Sequence, residues 1–228
     1  MKKLIVLNHK MNLDYDEVFP YIDGLNKVET DNDIIVCPSN IYLKDFVDHC
    51  TWGIGAQNVH YKQNGNYTGE ISTTQLKSLG VEYSIIGHYE RKKYFKENNR
   101  MINEKLKACL DTNIIPILCF GENGEIEDVI SELKELLTDV NMIDFIIFAY
   151  EPLKVDSTLE LDKIKEDIEE ISNYLLDLYE ARPTIIYGGG VANKDVKVLL
   201  SDDNIDGLLI GKVSTNIESV EKIIKTIN

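Results

Sequence analysis

Eight short apolar segments recur along this chain, and they limit its fold more than any other feature of the sequence. None of them alternates polar and apolar residues. A near-continuous apolar run is typical of a parallel strand that is covered on both faces. We therefore predict eight strands, at residues 4–8, 34–39, 52–58, 83–88, 114–121, 145–151, 184–190 and 207–211.

The segments between the strands have helical periodicity. Apolar residues recur at steps of three and four in 126–137, 161–179 and 220–227, while lysines and glutamates occupy the positions between them. Such spacing places one apolar stripe along a helix and leaves the opposite face to water. The chain therefore alternates strand and helix about eight times.

This alternation indicates a parallel α/β sheet with right-handed crossovers, which closes either as a doubly wound open sheet or as a (β/α)8 barrel. Eight units in 228 residues favour the barrel. The segment "LNHKMN" after the first strand also lacks the glycine fingerprint of the open dinucleotide-binding sheet. The length permits one large domain or two small ones, and no Pro/Gly/Ser-rich linker divides the chain. We predict a single barrel domain over residues 1–228.

The net charge narrows the range of partners. A formal charge of −15 argues against nucleic acid and against an anionic membrane, since both require a basic face. An anionic small molecule remains compatible with this charge. Its site must create positive potential locally, from a lysine or from backbone N–H groups.

The cysteines and the first residues bear on the compartment. The four cysteines, Cys37, Cys50, Cys109 and Cys119, show no C-x-x-C spacing, so neither a disulfide framework nor a zinc site is expected. The apolar run in "MKKLIVLNHK" is too short for a signal peptide or a membrane span. We expect a cytoplasmic protein with reduced thiols.

Chemically versatile residues follow several of the predicted strands. In a (β/α)8 barrel the carboxyl ends of the strands meet on one face, where the active site is built. The residues at that face are Asn8, Lys10, Gln57, Asn58, His88, Cys119, Glu122, Glu151, Gly188–Gly190 and Gly211. A single histidine, glutamate or glycine there usually has only a structural role. Glu151, at the end of an apolar run, is either ion-paired or has its pKa raised for proton transfer.

Eight motifs, in order, resemble the triosephosphate isomerase family. They are "NHKMN", "GAQNV", "NYTGE", "IIGHYER", "CFGE", "AYEP", "YGGG" and "DGLLIG". The resemblance runs from Asn8 to Gly211, and "IIGHYER" and "AYEP" are its most specific parts. It implies a homodimeric isomerase of glycolysis and gluconeogenesis, with no cofactor or metal. Such an enzyme interconverts dihydroxyacetone phosphate and glyceraldehyde 3-phosphate.

The resemblance also implies roles for individual residues. Glu151 is the base that moves a proton between two carbons, and His88 is the neutral donor to the enediolate oxygen. Lys10 supplies a fixed positive charge near the substrate oxygens. Asn8 orients Lys10 and the substrate, and Glu90 is a companion carboxylate in the same site.

Two further features of the family concern phosphate and the second subunit. By resemblance, the turns after strands 7 and 8 hold the phosphate with backbone N–H groups, at Gly189, Gly190, Gly211 and Lys212. The polar loop 60–72 inserts into the partner and brings Thr68 near Asn8 and Glu90 of the partner subunit.

The sequence departs from the family in four places. The lid segment after Glu151 lacks the family's tryptophan and glycines, and the stretch from Glu151 to Tyr187 is shorter than usual. Tyr89 and Gly190 stand where the family has serines. Lys212 replaces a glycine, at a cost of about 1 kcal/mol or more if the position requires positive φ.

These departures leave three functions open. The first is a triosephosphate isomerase with a trimmed lid. The second is an isomerase of a longer phosphorylated ketose, for instance one with four carbons. The third is a non-catalytic phosphate-binding or structural relative. Retention of Lys10, His88 and Glu151 counts against the third, because a binding module has no use for a base.

Overall fold

A computed structural model describes residues 2–122, 124–152, 161–190 and 193–227. Eight parallel strands form a closed barrel in sequence order, in which the eighth strand pairs with the first. The strands are β1 (Leu4–Asn8), β2 (Asp33–Cys37), β3 (Gly53–Ala56), β4 (Tyr83–Ile86), β5 (Ile115–Phe120), β6 (Ile147–Tyr150), β7 (Thr184–Tyr187) and β8 (Gly207–Ile210). The predicted (β/α)8 barrel, or TIM barrel, is confirmed.

Helices cover the outside of this barrel. In the described residues they are α1 (Tyr15–Leu25), α2 (Leu43–His49), α3 (Thr73–Leu79), α4 (Tyr89–Phe95), α5 (Asn99–Asp111), α6 (Ile126–Leu136), α7 (Leu161–Tyr179), α8 (Asn193–Leu200) and α9 (Ile217–Ile227), with a short 3₁₀ helix at Asn40–Tyr42. Within these residues no helix is long and apolar enough to cross a membrane.

Two apolar layers explain why the strands are apolar at nearly every position. Alternate residues of a strand point to opposite faces of the sheet. On β1, Val6 joins a small cluster with Ile85, Ile117 and Ile186, while Ile5 joins the much larger cluster that contains the helix stripes. Both faces of each strand are thus removed from water, and burying one large aliphatic side chain is worth roughly 1.5–3 kcal/mol.

Most predicted strands were too long at their carboxyl ends. β4 ends at Ile86 rather than at His88, and β5 ends at Phe120. The next residue in each case is a glycine with positive φ, 72° at Gly87 and 97° at Gly121, and this conformation turns the chain out of the sheet. His88 and Glu122, which were assigned to the ends of these strands, therefore lie in the turns just beyond them.

The predicted sixth strand was also too long at its start. Phe145 is 56% exposed and lies outside the sheet, and β6 begins at Ile147. Phe145 belongs to the loop between α6 and β6, at the amino end of the barrel. Apolar character alone does not distinguish a loop residue of this kind from a strand residue.

Candidate active site

The backbone of Lys10 is held in place by three side chains. The Oδ1 of buried Asn8 accepts a 3.0 Å hydrogen bond from the Lys10 N–H. The carbonyl of Lys10 accepts hydrogen bonds from Ser39 Oγ at 3.0 Å and Gln57 Nε2 at 2.7 Å. Lys10 has a φ of 53°, a left-handed conformation that costs a non-glycine residue roughly 1–2 kcal/mol. Such strain persists where the surroundings over-determine the backbone, as they do here.

The side chain of Lys10 lies between two other turns of the barrel rim. Its Nζ is 2.8 Å from Glu90 Oε1. On the other side, a Cβ added to Gly211 would lie 3.1 Å from the Cε of Lys10. The pairing of β1 with β8 creates this second contact, so closure of the barrel brings the Lys10 ammonium to the turn after β8.

His88 is buried and begins helix α4. Its Nδ1 accepts a 3.2 Å hydrogen bond from the N–H of Glu90. A ring nitrogen that accepts is unprotonated, so in the neutral imidazole the proton is on Nε2. Burial lowers the pKa of His88 to about 4. The positive charge of Lys10, and to a smaller extent that of Lys92, lowers this pKa further, whereas the negative charge of Glu90 raises it. At neutral pH His88 is therefore an uncharged donor through Nε2.

Glu151 follows β6 directly and is 6% exposed. Its Oε1 lies 3.5 Å from His88 Nε2, and its Oε2 has no hydrogen-bond partner among the described residues. Burial raises the pKa of Glu151 to about 7, although a hydrogen bond with the Cys119 thiol and the charges of Lys10 and Lys92 oppose the rise. Within the described residues Glu151 has no lysine or arginine within ion-pair distance, so the geometry favours the proton-transfer interpretation.

Three glycines follow β7, and each has different surroundings. A Cβ on Gly188 would come within 2.7 Å of Glu151 Cγ, and a Cβ on Gly189 would come within 2.1 Å of the hydroxyl of Tyr187. A Cβ on Gly190 would meet no atom of the described residues within 4 Å. Close packing therefore requires glycine at 188 and 189, whereas Gly190 has no such restriction from the part of the chain that the structure describes.

Lys212 lies in the turn after β8, and its side chain is exposed. It makes no hydrogen bond or ion pair with the described residues, and its φ is not positive. The backbone strain considered for a lysine at this position is therefore not present.

Comparison with known proteins finds relatives that the chain covers over nearly their whole length. The family model described as triosephosphate isomerase matches residues 3–227. The chain belongs to the triosephosphate isomerase family.

Individual relatives agree with the family model. The triosephosphate isomerase of Trichodesmium erythraeum is 35% identical, with 98% of each chain covered. That of Thermodesulfovibrio yellowstonii is 34% identical, with 98% of this chain and 99% of the relative covered. That of Dehalococcoides mccartyi is 36% identical, with 98% and 96% covered. These alignments run over 238, 247 and 245 positions, so they contain gaps opposite parts of the relatives that this chain of 228 residues lacks.

Asn58 and Glu122, both predicted at the active-site face of the barrel, contact buried ion pairs. Asn58 Oδ1 accepts a 2.7 Å hydrogen bond from Lys105, whose ammonium is also 2.6 Å from Glu97. Glu122 lies 3.8 Å from Lys92, which is itself paired closely with Glu132. Asn58 and Glu122 thus have charged partners of their own, and both clusters support the turns around α4.

Several contributors to the site were missed in the sequence. Ser214 donates a 2.9 Å hydrogen bond to the carbonyl of Asn8 from 206 positions away, and Ser39 binds the carbonyl of Lys10. Lys92 acts on the pKa values of both His88 and Glu151. No local motif identifies these residues, because their partners are distant in sequence.

The remaining predicted features lie at or beyond the edge of this site. Thr68 is exposed on the loop 60–72, and its contact with a second subunit stays a prediction. The lid segment falls mostly on residues 153–160, outside the described residues. Among the described residues, no three or more His, Cys, Asp or Glu side chains are grouped so as to hold a metal ion.

Proposed function

We propose that this protein is a triosephosphate isomerase that interconverts dihydroxyacetone phosphate and D-glyceraldehyde 3-phosphate through an enediolate. One observation carries the proposal. Glu151, with its pKa raised to about 7 and Oε2 unpartnered among the described residues, faces the neutral Nε2 donor of His88 at 3.5 Å. A base and a neutral acid at this distance are what proton transfer beside a carbonyl group requires.

Glu151 carries the proton between the two carbons. Its carboxylate removes a proton from the carbon next to the carbonyl, and the electron pair of that C–H bond moves into the enediolate. The protonated Glu151 then returns the proton to the neighbouring carbon. The hydroxyl proton passes from the oxygen that becomes the new carbonyl to the oxygen of the former carbonyl, so the carbonyl group changes place and the base is regenerated. A base is most effective when its pKa is close to the working pH, and burial brings Glu151 into that range.

His88 and Lys10 stabilise the negative charge of the enediolate. The Nε2–H of His88 donates to the oxygen as charge develops on it, and the triosephosphate isomerase family is itself a standard example of such a neutral imidazole. Lys10 supplies positive charge. Asn8 fixes the backbone of Lys10, and Glu90 fixes its ammonium. Glu90 also donates its N–H to His88, so it links the two groups.

The phosphate would bind where the turns after β7 and β8 meet. We assign it to the backbone N–H groups of Gly189, Gly190, Gly211 and Lys212. The Lys10 ammonium lies close to Gly211, which adds positive potential on that side. Local positive charge is needed here because the chain as a whole carries a charge of −15.

The two other functions receive less support. The relatives are named triosephosphate isomerase and give no support to a longer ketose phosphate. A non-catalytic relative would not need a buried, unpaired carboxylate, which is costly to maintain.

The proposal extends to the assembly and its compartment. We infer a homodimer of single-domain chains in the cytoplasm, acting in glycolysis and gluconeogenesis without a cofactor. Exposed apolar side chains near the rim support the dimer, with Met11 at 94%, Ile41 at 78% and Phe95 at 62% exposure. Thr68 would reach Asn8 and Glu90 of the partner subunit.

A panel of aldose and ketose phosphates with three to six carbons tests the substrate. We expect rapid turnover of glyceraldehyde 3-phosphate and kcat/KM values at least tenfold lower for longer sugars, since a site of fixed size discriminates by this order or more. Faster turnover of a four-carbon phosphate would favour the longer ketose. Absence of turnover with every sugar phosphate would favour the binding protein.

A further inference from the structure

The ring of Tyr89 lies beside two of the groups assigned to catalysis. Its centroid is 5.6 Å from the Nζ of Lys10 and 5.0 Å from the ring of His88. The hydroxyl of Tyr89 makes no hydrogen bond with the described residues. Tyr89 therefore contacts Lys10 through the face of its ring and not through its hydroxyl.

We propose that Tyr89 is a positioning residue, whose aromatic face holds the ammonium of Lys10 where it meets the substrate oxygens. This proposal rests on the function proposed above for the same site. The distance of 5.6 Å is within the range of about 6 Å in which an ammonium is attracted by a ring.

The ring of Tyr89 restrains the Lys10 ammonium without neutralising it, which the carboxylate of Glu90 cannot do. The carboxylate of Glu90 holds the same ammonium at 2.8 Å, but it also neutralises part of the charge that the substrate needs. A ring face attracts the cation through its quadrupole and carries no net charge. Tyr89 therefore restrains the ammonium without reducing its net positive charge, in a chain that already carries −15.

The first turn of α4 brings these groups together. His88, Tyr89 and Glu90 are consecutive, and α4 begins at Tyr89. The serine that the family has at position 89 provides no ring face. In this chain, one helix turn thus orients the donor imidazole and holds the lysine from two directions.

A graded series at position 89 tests the role of the ring. Tyr89→Phe keeps the face, successive fluorination of that phenylalanine weakens its quadrupole at nearly constant shape, and Tyr89→Leu removes the face. With glyceraldehyde 3-phosphate we expect Phe to match the parent. We expect kcat/KM to fall stepwise with fluorination, by about threefold to tenfold in total, as a contact of this type allows.

Two comparisons separate positioning from general stability. Tyr174→Leu removes another ring that lies 5.9 Å from a lysine ammonium, that of Lys134, between α6 and α7. We expect this variant to keep the parent's kcat/KM. Equal activity of the fluorinated and unfluorinated rings, or a loss in Tyr174→Leu as large as in Tyr89→Leu, would overturn the proposal.

An NMR measurement decides the contact without any turnover. With ¹³C-labelled lysine, the methylene signals of Lys10, identified by their absence in Lys10→Arg, should show a ring-current shift in the parent and in Tyr89→Phe. The shift should vanish in Tyr89→Leu. If the parent fails to turn over glyceraldehyde 3-phosphate, the proposed function fails, while the ring-current shift still tests the contact. Absence of that shift in the parent rejects the positioning role.

Discussion

The side chain of Glu151 packs against the backbone of Gly188 so closely that no other residue fits at position 188 without moving it. A Cβ on Gly188 would lie 2.7 Å from Glu151 Cγ and 3.2 Å from Oε1. The first distance is shorter than a carbon–carbon contact allows, and the second is a tight carbon–oxygen contact. The position of the carboxylate therefore depends on a glycine in the neighbouring strand turn.

Gly188→Ala is expected to displace Glu151 and to lower kcat. A shift of about 1 Å in a reacting group costs on the order of 100-fold. Gly190→Ala adds the same methyl group where no atom of the described residues lies within 4 Å, and it keeps the N–H assigned to phosphate. In that variant we expect kcat to stay near the parent value, with any change confined to KM. Steady-state kinetics measures both, and equal kcat values for the two variants would show that Gly188 does not set the position of the base.

Glu151→Asp should also lower kcat by about 100-fold, since the carboxylate is drawn back by one methylene, about 1 Å. The fold should be retained, as judged by circular dichroism. A variant that turns over as fast as the parent would exclude Glu151 as the base.

The pH dependence of the parent provides an independent measurement of the same group. Because the pKa of Glu151 is raised to about 7, its base form is lost as the pH falls below that value. We expect kcat/KM to decrease about tenfold per pH unit on this side. If kcat/KM instead began to fall only near pH 4.5, the ordinary pKa of a glutamate, burial would not raise the pKa of Glu151.

His9 is a second buried histidine, and it makes the fold sensitive to acid. It is 1% exposed, neither ring nitrogen has a partner among the described residues, and its ring packs edge-on against Tyr21 at 4.6 Å. Burial lowers the pKa of His9 to about 4 from 6.5. The unfolded chain therefore binds a proton that the folded chain excludes between these two values.

The free energy of unfolding should fall as the pH drops from about 6.5 to about 4, and His9 should contribute up to about 3 kcal/mol to this loss. His9→Phe should remove that contribution and flatten the curve in this window. Glu151 acts with the opposite sign, because its raised pKa gives stability that is lost as the pH rises towards 7. Both Glu151 and His88 are unchanged in the variant, so the difference between the two urea-unfolding curves isolates His9. Parallel curves over the whole range would show that His9 does not titrate in this way.

We expect Lys212 to compensate for the backbone donor that a lid glycine would supply, since the sequence has no glycine between Glu151 and Tyr187. A lost backbone donor to a charged group is worth roughly 1.5–3 kcal/mol, and a lysine is a good point-charge partner for phosphate. Lys212→Gly should therefore raise KM, and salt should inhibit the parent more strongly than the variant. The exposed side chain is free to turn towards a ligand, since it has no partner among the described residues. An unchanged or lower KM would mean that only the N–H of residue 212 matters.

Light scattering at micromolar concentration should give twice the 26.0 kDa of one chain. Met11 is 94% exposed in the single chain, so Met11→Glu loses no packing within the subunit and should weaken the dimer. Met142→Glu is the matched change on the loop before β6, where Met142 is 54% exposed, and should leave the mass unchanged. A monomeric parent would refute the dimer.

Local pattern alone determined the order of the elements and the set of residues at the rim. A strand that is buried on both faces must be apolar at nearly every position, so β1 and the seven others were visible as runs. The polar residues Lys10, His88 and Glu151 follow such runs directly, and parallel strands bring their carboxyl ends to one face.

Only the tertiary structure decided how these residues act on one another. The hydrogen bond of Ser214 to Asn8 spans 206 positions, and Lys10 approaches Gly211 because the barrel closes between β8 and β1. The raised pKa of Glu151 depends on burial by several elements, and its position depends on Gly188. Burial, close packing and electrostatic potential are sums over neighbours in space, and a linear motif does not contain those neighbours.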